Sequence, residues 1–323
     1  MDVTELLEQA IQATASDVYF IPDEADYQVK FHIKGHGETK HYIPYEVAHV
    51  IISSIKYRAK MNISERRRPQ LGQFPIVHSE ETVWVRVSSV GDFLSRETVV
   101  LRFIYPQISN QHWLAPEQYE QLELHLPESG LFLFSGPTGS GKTTTMYRLL
   151  TCLSLEKTVL TIEDPVEIQQ SNFVQLQVNE TAGMYYDDLI KVALRHRPEV
   201  LLIGEIRDKE TAEAAIKAAL SGHLVVSTIH ALSARDVMTR LLDLGVQKEQ
   251  LKAALCGVAY QRLIPLVSGD QAALIDLLVQ ERLECVLNER QISKFSEEWG
   301  SVLDATYKQG KISEKTWQIY RAL

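Results

Sequence analysis

The chain has 323 residues, enough for two domains that each bury a hydrophobic core. Apolar residues make up 45% of it and charged residues 23%, which is typical of a globular protein rather than a disordered or fibrous one. Acidic residues outnumber basic ones by 42 to 33, a formal net charge of −9, and this excess argues against a surface built to bind nucleic acid.

The first third of the chain is predicted to form a small α/β domain, residues 1–106. Three runs alternate apolar and polar residues or are rich in β-branched ones, as strands are: SDVYFIP, YQVKFHIKG and ETVWVRVSSV. The run YEVAHVIISSIKYRAK has apolar residues at helical spacing, and RETVVLRFIYP is a further strand that ends at Pro106. The polar stretch after this proline predicts a linker at residues 107–111.

Residues 112–323 are predicted to form a second domain of a different kind. The strand-like run GLFLFSG precedes a helix from about Lys142, and three more short apolar strands follow: TVLTIED, EVLLIGE and HLVVSTIH. Between the last two, DKETAEAAIKAALSG predicts a helix that has acids early, alanines throughout and Gly222 at its end. Strands alternating with helices predict a parallel sheet covered on both faces. The tail from about residue 247 is predicted to be mostly helical.

A phosphate-binding loop lies between the first of these strands and its helix. The P-loop pattern is matched in full by Gly136, Pro137, Thr138, Gly139, Ser140, Gly141, Lys142 and Thr143, and Thr144 follows in the helix. The loop N–H groups and the helix N-terminus bind phosphate oxygens, Lys142 reaches the β- and γ-phosphates, and the Thr143 hydroxyl ligates Mg²⁺. The flanking strand and helix disfavour the alternative, a chance glycine-rich turn.

Polar residues end the three following strands. Glu163 and Asp164 end TVLTIED, Glu205 ends VLLIGE, and His230 ends VVSTIH. In a parallel sheet these ends meet at one edge, where ligands bind. Hydrolysis needs a carboxylate that acts on the attacking water and a metal held against the phosphates. The two glutamates suit these two roles. The residues alone leave open which glutamate serves which role, and a helix cap or a surface acid is the alternative for each.

The order of these motifs resembles the secretion ATPases, the motors of type II secretion and type IV pili. GPTGSGKTTT resembles their Walker A motif, TIEDPVE their Asp box, and LLIGEIRDKETAEAAIKAALSGHLVVSTIHALSA their Walker B motif and His box. The resemblance runs from about residue 12 to about residue 265, and LRHRPEV is similar to the competence-pilus branch of Gram-positive bacteria. It implies a PAS-like N-terminal α/β domain followed by a RecA-like P-loop domain with a helical C-terminal tail.

The resemblance also implies roles for two pairs of residues. Glu163 matches the general base of the family, and Glu205 matches the Walker B glutamate, which acts on Mg²⁺ partly through water. Arg86 and Arg102 match a basic pair on the N-terminal domain that reaches a nucleotide on a neighbouring or facing domain. An arginine supplied in this way is worth about 10³ to 10⁵ in rate. The alternative for each arginine is an ordinary exposed position in a strand.

The resemblance also bears on four other residues, two of which, Asp164 and His230, end strands as described above. His223 and His230 match the His box, near the nucleotide and the subunit border, although a strand-start histidine without a role is the alternative for His223. Asp164 of the Asp box and Arg207 after the Walker B glutamate complete the candidate set.

The resemblance also implies a function. Members of this family form a hexameric ring that hydrolyses ATP with Mg²⁺, and we expect such a ring here, cytoplasmic and peripheral at the inner face of the cell membrane. The ring would act on a polytopic inner-membrane platform protein and assemble a competence pseudopilus, a type IV-like pilus, for DNA uptake, with no direct contact to nucleic acid. Two alternatives remain open, a RecA-like nucleic-acid motor and a non-hydrolysing nucleotide switch or scaffold.

The sequence departs from the family pattern after QRLIP. Relatives often carry a four-cysteine zinc module there, whereas LVSGDQAAL contains no cysteine, and the three cysteines, Cys152, Cys256 and Cys285, lie far apart. We therefore expect no zinc, no disulfide framework and a reducing cytosol. The N-terminal stretch MDVTELLEQA has no basic secretory signal. By the resemblance, extension motors carry a longer N-terminal segment that docks on membrane partners, and we expect this chain to lack it.

Overall fold

The structure, a computed structural model, describes residues 2–24, 26–33, 36–78, 81–105, 112–179, 182–288 and 293–323. The chain divides into two compact units, residues 1–107 and 108–323. The linker predicted at residues 107–111 lies outside the described residues.

The first unit is an antiparallel sheet of six strands in the order β3-β2-β1-β6-β5-β4. Its elements are α1 (Val3–Gln12), β1 (Asp17–Pro22), β2 (Asp26–Ile33), β3 (His36–Pro44), α2 (Tyr45–Arg58), β4 (Gln70–His78), β5 (Glu81–Gly91) and β6 (Glu97–Ile104). The predicted strands and the helix α2 are present. The sequence did not predict α1, which is capped at its N-terminus by Asp2, whose Oδ1 accepts a hydrogen bond from the Thr4 amide at 2.8 Å.

The apolar faces of α1 and α2 form one core with one face of this sheet. Strand alternation decides which residues face that core. On β5, Val85 is fully buried against the helices, and its neighbour Arg86 points to the other face of the sheet. Arg86 lies directly opposite Arg102 of β6 in the antiparallel register. The first unit thus presents two arginines side by side on the face away from its core.

The second unit is built on an eight-stranded sheet in the order β10-β9-β11-β12-β8-β13-β14-β7. Its strands are β7 (His112–Trp113), β8 (Gly130–Ser135), β9 (Val159–Glu163), β10 (Phe173–Gln177), β11 (Val200–Ile203), β12 (Leu224–Ile229), β13 (Leu255–Pro265) and β14 (Gln271–Leu278). Its helices are α3 (Pro116–Leu124), α4 (Lys142–Leu153), α5 (Tyr186–Arg195), α6 (Lys209–Leu220), α7 (Asp236–Asp243), α8 (Lys248–Ala254), α9 (Gln280–Leu287), α10 (Glu297–Lys308) and α11 (Glu314–Arg321).

The predicted parallel sheet with helices on both faces is confirmed. The pairs from β10 to β13 are all parallel, and β14 turns back antiparallel to β13. Alternate residues of β8 face opposite sides, so Phe134 packs with α3 and α4 while Leu133 packs with α5 and α6. The predicted helix α6 is capped by Asp208, whose Oδ1 accepts from the Thr211 amide at 2.8 Å.

The helical C-terminal tail is confirmed, but it begins at Gln280 and not near residue 247. Between α8 and α9 the chain forms the two strands β13 and β14, in the region that was predicted to be helical. Both strands are buried along most of their length on both faces. A strand buried on both faces lacks the apolar–polar alternation of a half-exposed strand, so periodicity does not distinguish it from a buried helix.

Candidate nucleotide site

A cavity of about 570 Å³ lies at the edge of the second unit's sheet where β8, β9, β11 and β12 end. These strands are parallel, so the sheet itself brings their carboxyl ends together. Twelve predicted site residues line the cavity: Thr138, Gly139, Ser140, Gly141, Lys142, Thr143, Thr144, Glu163, Asp164, Glu205, Arg207 and His230.

The phosphate loop adopts a conformation that only glycine permits at its first position. Gly136 has a φ of +138°, and a Cβ built on it would lie 2.3 Å from the carbonyl oxygen of Gln261. Gly139 and Gly141 also have positive φ, and Gly141 is the residue that caps α4. The first residues of α4 line the cavity, so the positive end of that helix faces it.

Gln261 of β13 holds this loop from inside the sheet. Its side chain is fully buried. Its Nε2 donates to the carbonyl oxygen of Ser140 at 2.7 Å, and its Oε1 accepts from the Thr145 hydroxyl at 2.7 Å. The loop and the start of α4 are therefore tied to the same strand. The sequence did not single out Gln261, because one glutamine in an apolar run has no local signal.

Lys142 is held within the loop that it follows. Its Nζ donates to the carbonyl oxygens of Gly136 and Pro137, each at 2.9 Å. Burial lowers the pKa of Lys142, and the nearby charges of Glu205 and Glu167 oppose this shift. The first two loop residues thus position the ammonium group through their carbonyls, while the rest of the loop lines the cavity.

Glu163 is a buried carboxyl group held by two hydroxyls. Its Oε1 accepts from the Tyr147 hydroxyl at 2.6 Å and from the Thr161 hydroxyl at 2.7 Å. Burial raises the pKa of Glu163, and these two hydrogen bonds oppose the rise. A carboxylate that is more basic than usual and lines a phosphate-binding cavity has the properties of a general base. The sequence singled out Glu163 but neither hydroxyl, because both contacts depend on tertiary packing.

Glu205 has different surroundings. Its Oε1 is in contact with the guanidinium group of Arg207, and its Oε2 lies 3.8 Å from Nε2 of His230. This carboxylate raises the pKa of Arg207, chiefly through their hydrogen bond. Glu163 is buried and held by neutral hydroxyls, whereas Glu205 is paired with Arg207 and partly exposed. Such different environments give two carboxylates different roles.

The donor set of the cavity fits a magnesium-bound nucleotide. Mg²⁺ takes oxygen ligands and is usually held by one or two protein groups, with phosphate oxygens and waters completing its shell. The Thr143 hydroxyl and the Glu205 carboxylate are such groups and both line the cavity. The glycine loop leaves no room for a side chain at Gly136, as a cradle for phosphate requires.

Charges of the lining residues do not balance. Four carboxylates line the cavity, Glu163, Asp164, Glu167 and Glu205, against two permanent cations, Lys142 and Arg207. A triphosphate adds several more negative charges. A nucleotide bound here therefore needs positive charge beyond that of the lining residues.

Arg86 and Arg102 belong to the first unit, outside the set of residues that line this cavity. They are cross-strand neighbours, and like charges placed directly opposite each other are unfavourable in a sheet. Asp17 offsets part of this charge, because its Oδ1 accepts a hydrogen bond from Nε of Arg102 at 2.9 Å. An anion brought to this face would relieve the repulsion between the two guanidinium groups.

The two predicted histidines lie at opposite ends of β12. His230 follows the strand and lines the cavity. His223 precedes it, with Nδ1 3.2 Å from the carbonyl oxygen of Ala218. A strand of this length separates the two residues by roughly 20 Å. His223 is thus not among the residues that line this cavity, and its role at the nucleotide and the subunit border stays a prediction.

Two kinds of feature were not found among the described residues. No helix in these ranges is both long and apolar enough to cross a membrane. No group of three or more His, Cys, Asp or Glu side chains in them is arranged to hold a metal. The three cysteines are free thiols. That the protein binds no zinc stays a prediction.

Comparison with known proteins gives a consistent set of relatives. Residues 1–300 match the model of the family described as Type II/IV secretion system protein. The competence protein ComGA of Streptococcus pneumoniae is 38% identical over 310 residues, which cover 96% of this chain and 94% of that protein.

Solved structures share the fold over nearly the whole chain. The pilus retraction motor PilT with bound ADP is similar with a TM-score of 0.75 and 25% identity, and the match covers 99% of this chain and 97% of that one. The ATPase DotB of Legionella pneumophila is similar with a TM-score of 0.79 and 23% identity, covering 100% and 96% of the two chains.

Proposed function

The chain belongs to the family of type II/IV secretion system proteins, and we propose that it is an ATP-hydrolysing motor that powers assembly of a competence pseudopilus for DNA uptake. One observation carries the hydrolytic part of this proposal. A complete phosphate loop opens into a cavity that is also lined by two glutamates in contrasting environments, Glu163 and Glu205. A nucleotide-binding scaffold without turnover has no need for this pair.

The geometry supports one assignment of the two glutamates, which the sequence alone left open. Glu163 accepts the proton of the attacking water, because its buried position makes the carboxylate more basic. Lys142 would neutralise charge on the β- and γ-phosphates, and Thr143 and Glu205 are the residues that would hold Mg²⁺. Mg²⁺ supplies charge neutralisation at the phosphates when bound. Arg207 and His230 orient Glu205, and Asp164 adds to the carboxylate excess beside Glu163.

The cavity charge supports a site that is shared between protein chains. Its lining has two more carboxylates than permanent cations, so a triphosphate requires added positive charge, of which Mg²⁺ would supply a part. Arg86 and Arg102 lie directly opposite each other on β5 and β6, on the face of the first unit's sheet away from its core. We propose that the pair is supplied to the nucleotide of a neighbouring or facing domain in a hexameric ring, as an arginine finger supplied in trans is worth about 10³ to 10⁵ in rate.

Domain closure would couple this chemistry to movement. If hydrolysis requires the arginines of one domain to contact the phosphates bound to another, ATP turns over only when these two domains close on each other. The membrane side of the proposal rests on similarity to a competence protein along nearly the whole chain. We propose that the ring lies peripherally at the cytoplasmic face of the cell membrane, on a polytopic platform protein, without direct contact to nucleic acid.

Measuring the ATPase rate per chain against protein concentration, with and without DNA, tests this function. Shared sites predict a rate per chain that rises with concentration as rings form, because isolated chains lack a complete site. DNA is expected to leave the rate unchanged, since the chain carries a net charge of −9. Stimulation by DNA would instead support a nucleic-acid motor, and ATP binding without turnover at any concentration would support a switch or scaffold.

A further inference from the structure

We propose that Tyr147 is a positioning residue that orients the carboxylate of Glu163 toward the attacking water, and that Gln175 fixes the direction in which the Tyr147 hydroxyl donates. The inference rests on the proposed function, in which Glu163 is the general base. It assigns a role in the reaction to Tyr147 and Gln175, neither of which binds phosphate or metal in the proposed function.

The contacts to Glu163 converge on one of its oxygens. Tyr147 is fully buried on α4, and its hydroxyl donates to Oε1 of Glu163 at 2.6 Å. The hydroxyl of Thr161, fully buried on β9, donates to the same Oε1 at 2.7 Å. Two donors on one oxygen fix the rotation of the carboxylate. With Oε1 held in this way, the proposal assigns Oε2 as the oxygen that accepts a hydrogen bond from the attacking water, in the cavity that Glu163 lines.

Gln175 decides where the Tyr147 proton points. Its Nε2 donates to the Tyr147 hydroxyl oxygen and to the carbonyl oxygen of Ile168, each at 2.9 Å. Its Oε1 accepts from the Gln170 amide at 2.8 Å, so the orientation of the Gln175 amide group is set from both ends. Because the Tyr147 hydroxyl oxygen accepts a hydrogen bond from Gln175, the single hydroxyl proton of Tyr147 is directed to Glu163. Burial raises the pKa of Tyr147 far above its usual range, so the hydroxyl stays a donor.

One helix connects this arrangement to the phosphate loop. Lys142 and Thr143 are the first residues of α4, and Tyr147 lies five residues after Lys142 on the same helix. The helix α4, whose first residues would bind the phosphates, therefore also carries the Tyr147 hydroxyl that orients Glu163. A shared rigid element keeps the phosphorus-to-base geometry constant, and misplacement of a reacting group by about 1 Å can cost about 10²-fold in rate.

Other titratable groups also surround Glu163. Those that line the same cavity are Lys142, Asp164, Glu167, Tyr186, Glu205, Arg207 and His230. The negative charge of Glu167 raises the pKa of Glu163 further. Replacing Tyr147 by phenylalanine leaves all of these in place and removes one donor to the charged form of Glu163. The pKa of Glu163 should then rise, which moves the acid limb of the rate profile to higher pH.

The test compares Tyr147→Phe, Thr161→Val and the control Tyr260→Phe, which makes the same atomic change at a buried tyrosine of the same unit. We expect Tyr147→Phe to lower kcat about tenfold to a hundredfold and to keep the KM for ATP within about threefold. Its acid limb should move to higher pH. Thr161→Val should act in the same direction, and Tyr260→Phe should leave both kcat and the acid limb unchanged. Thermal melting identifies any variant that loses its fold, and Thr161→Val then carries the test.

The variant Glu163→Gln separates failure of this inference from failure of the proposed function. Because Tyr147 acts through Glu163, adding Tyr147→Phe to Glu163→Gln should cause no further loss of kcat. A kcat and an acid limb like those of the wild type in Tyr147→Phe and Thr161→Val, beside an inactive Glu163→Gln, would overturn the inference and leave the function standing. A further loss in the double variant would also overturn it. Full activity in Glu163→Gln would instead overturn the assignment of the base itself.

Discussion

Lys142→Ala is expected to abolish ATP turnover and to weaken ATP binding by at least about tenfold, because a charge-assisted hydrogen bond worth about 1.5 to 3 kcal/mol is lost. The ammonium is the permanent cation within the phosphate loop, beside four lining carboxylates. Without it the β- and γ-phosphates meet an acidic cavity with no counter-charge at the loop. Phosphate release and binding of a fluorescent ATP analogue measure the two effects.

The fold should survive this change. Nζ of Lys142 contacts two carbonyl oxygens of the loop itself, Gly136 and Pro137, so its loss leaves the sheet and core intact. Lys191→Ala is the matched control, because it removes an exposed lysine from a helix of the same unit, away from the cavity. Activity like that of the wild type in a purified Lys142→Ala protein would refute the phosphate-loop assignment.

Glu163→Gln is expected to bind ATP nearly as well as the wild type and to hydrolyse it about 10² to 10⁴ times more slowly, the usual contribution of a general base. That range corresponds to about 3 to 5 kcal/mol of transition-state stabilisation. Glutamine keeps an oxygen that can accept from Tyr147 and Thr161, so local packing is preserved. It cannot take up the proton of the attacking water, which is why binding and turnover should separate.

Glu205→Gln makes the same chemical change on the neighbouring strand end and should behave differently. Its carboxylate is paired with Arg207 near His230 and lies beside the predicted metal position. We expect it to lose activity and to need more Mg²⁺ for half-maximal rate. Rates measured across a Mg²⁺ titration distinguish the two variants. Full activity and identical Mg²⁺ curves in both would show that neither strand end serves the site.

The parts of the site that the sequence predicted are those encoded locally. The phosphate loop follows from eight consecutive residues between a strand and a helix. Glu163, Glu205 and His230 follow from their positions at strand ends, because a parallel sheet places all such ends at one edge. The same geometry explains why His223 does not line the cavity, because a residue that precedes a strand lies at the opposite edge of the sheet.

The parts that the sequence missed depend on packing between distant segments. The Tyr147 side chain meets Glu163 only because α4 packs across the sheet, and Gln261 supports the loop from a strand more than a hundred residues further along the chain. Neither position differs in sequence from an ordinary core residue. The strands β13 and β14 were missed because burial on both faces removed the alternation that identifies a half-exposed strand.

A mixed-ring assay tests the central claim that the arginines of one chain complete the nucleotide site of another. Arg102→Ala and Arg86→Ala should each keep ATP binding within about tenfold and lower turnover by about two or more orders of magnitude. Arg102→Ala chains are then mixed in equal amounts with Lys142→Ala chains, and native mass spectrometry confirms that the rings contain both.

Each variant alone has the same defect at every site, but a mixed ring contains borders where an intact Lys142 meets an intact Arg102. With random mixing in a head-to-tail ring this holds at about a quarter of the borders. We expect ATP hydrolysis, which is at most about a hundredth of the wild-type rate in each separate preparation, to rise in the mixture to as much as that quarter of the wild-type rate. No recovery in rings proven to be mixed would contradict it and show that each chain completes its own site.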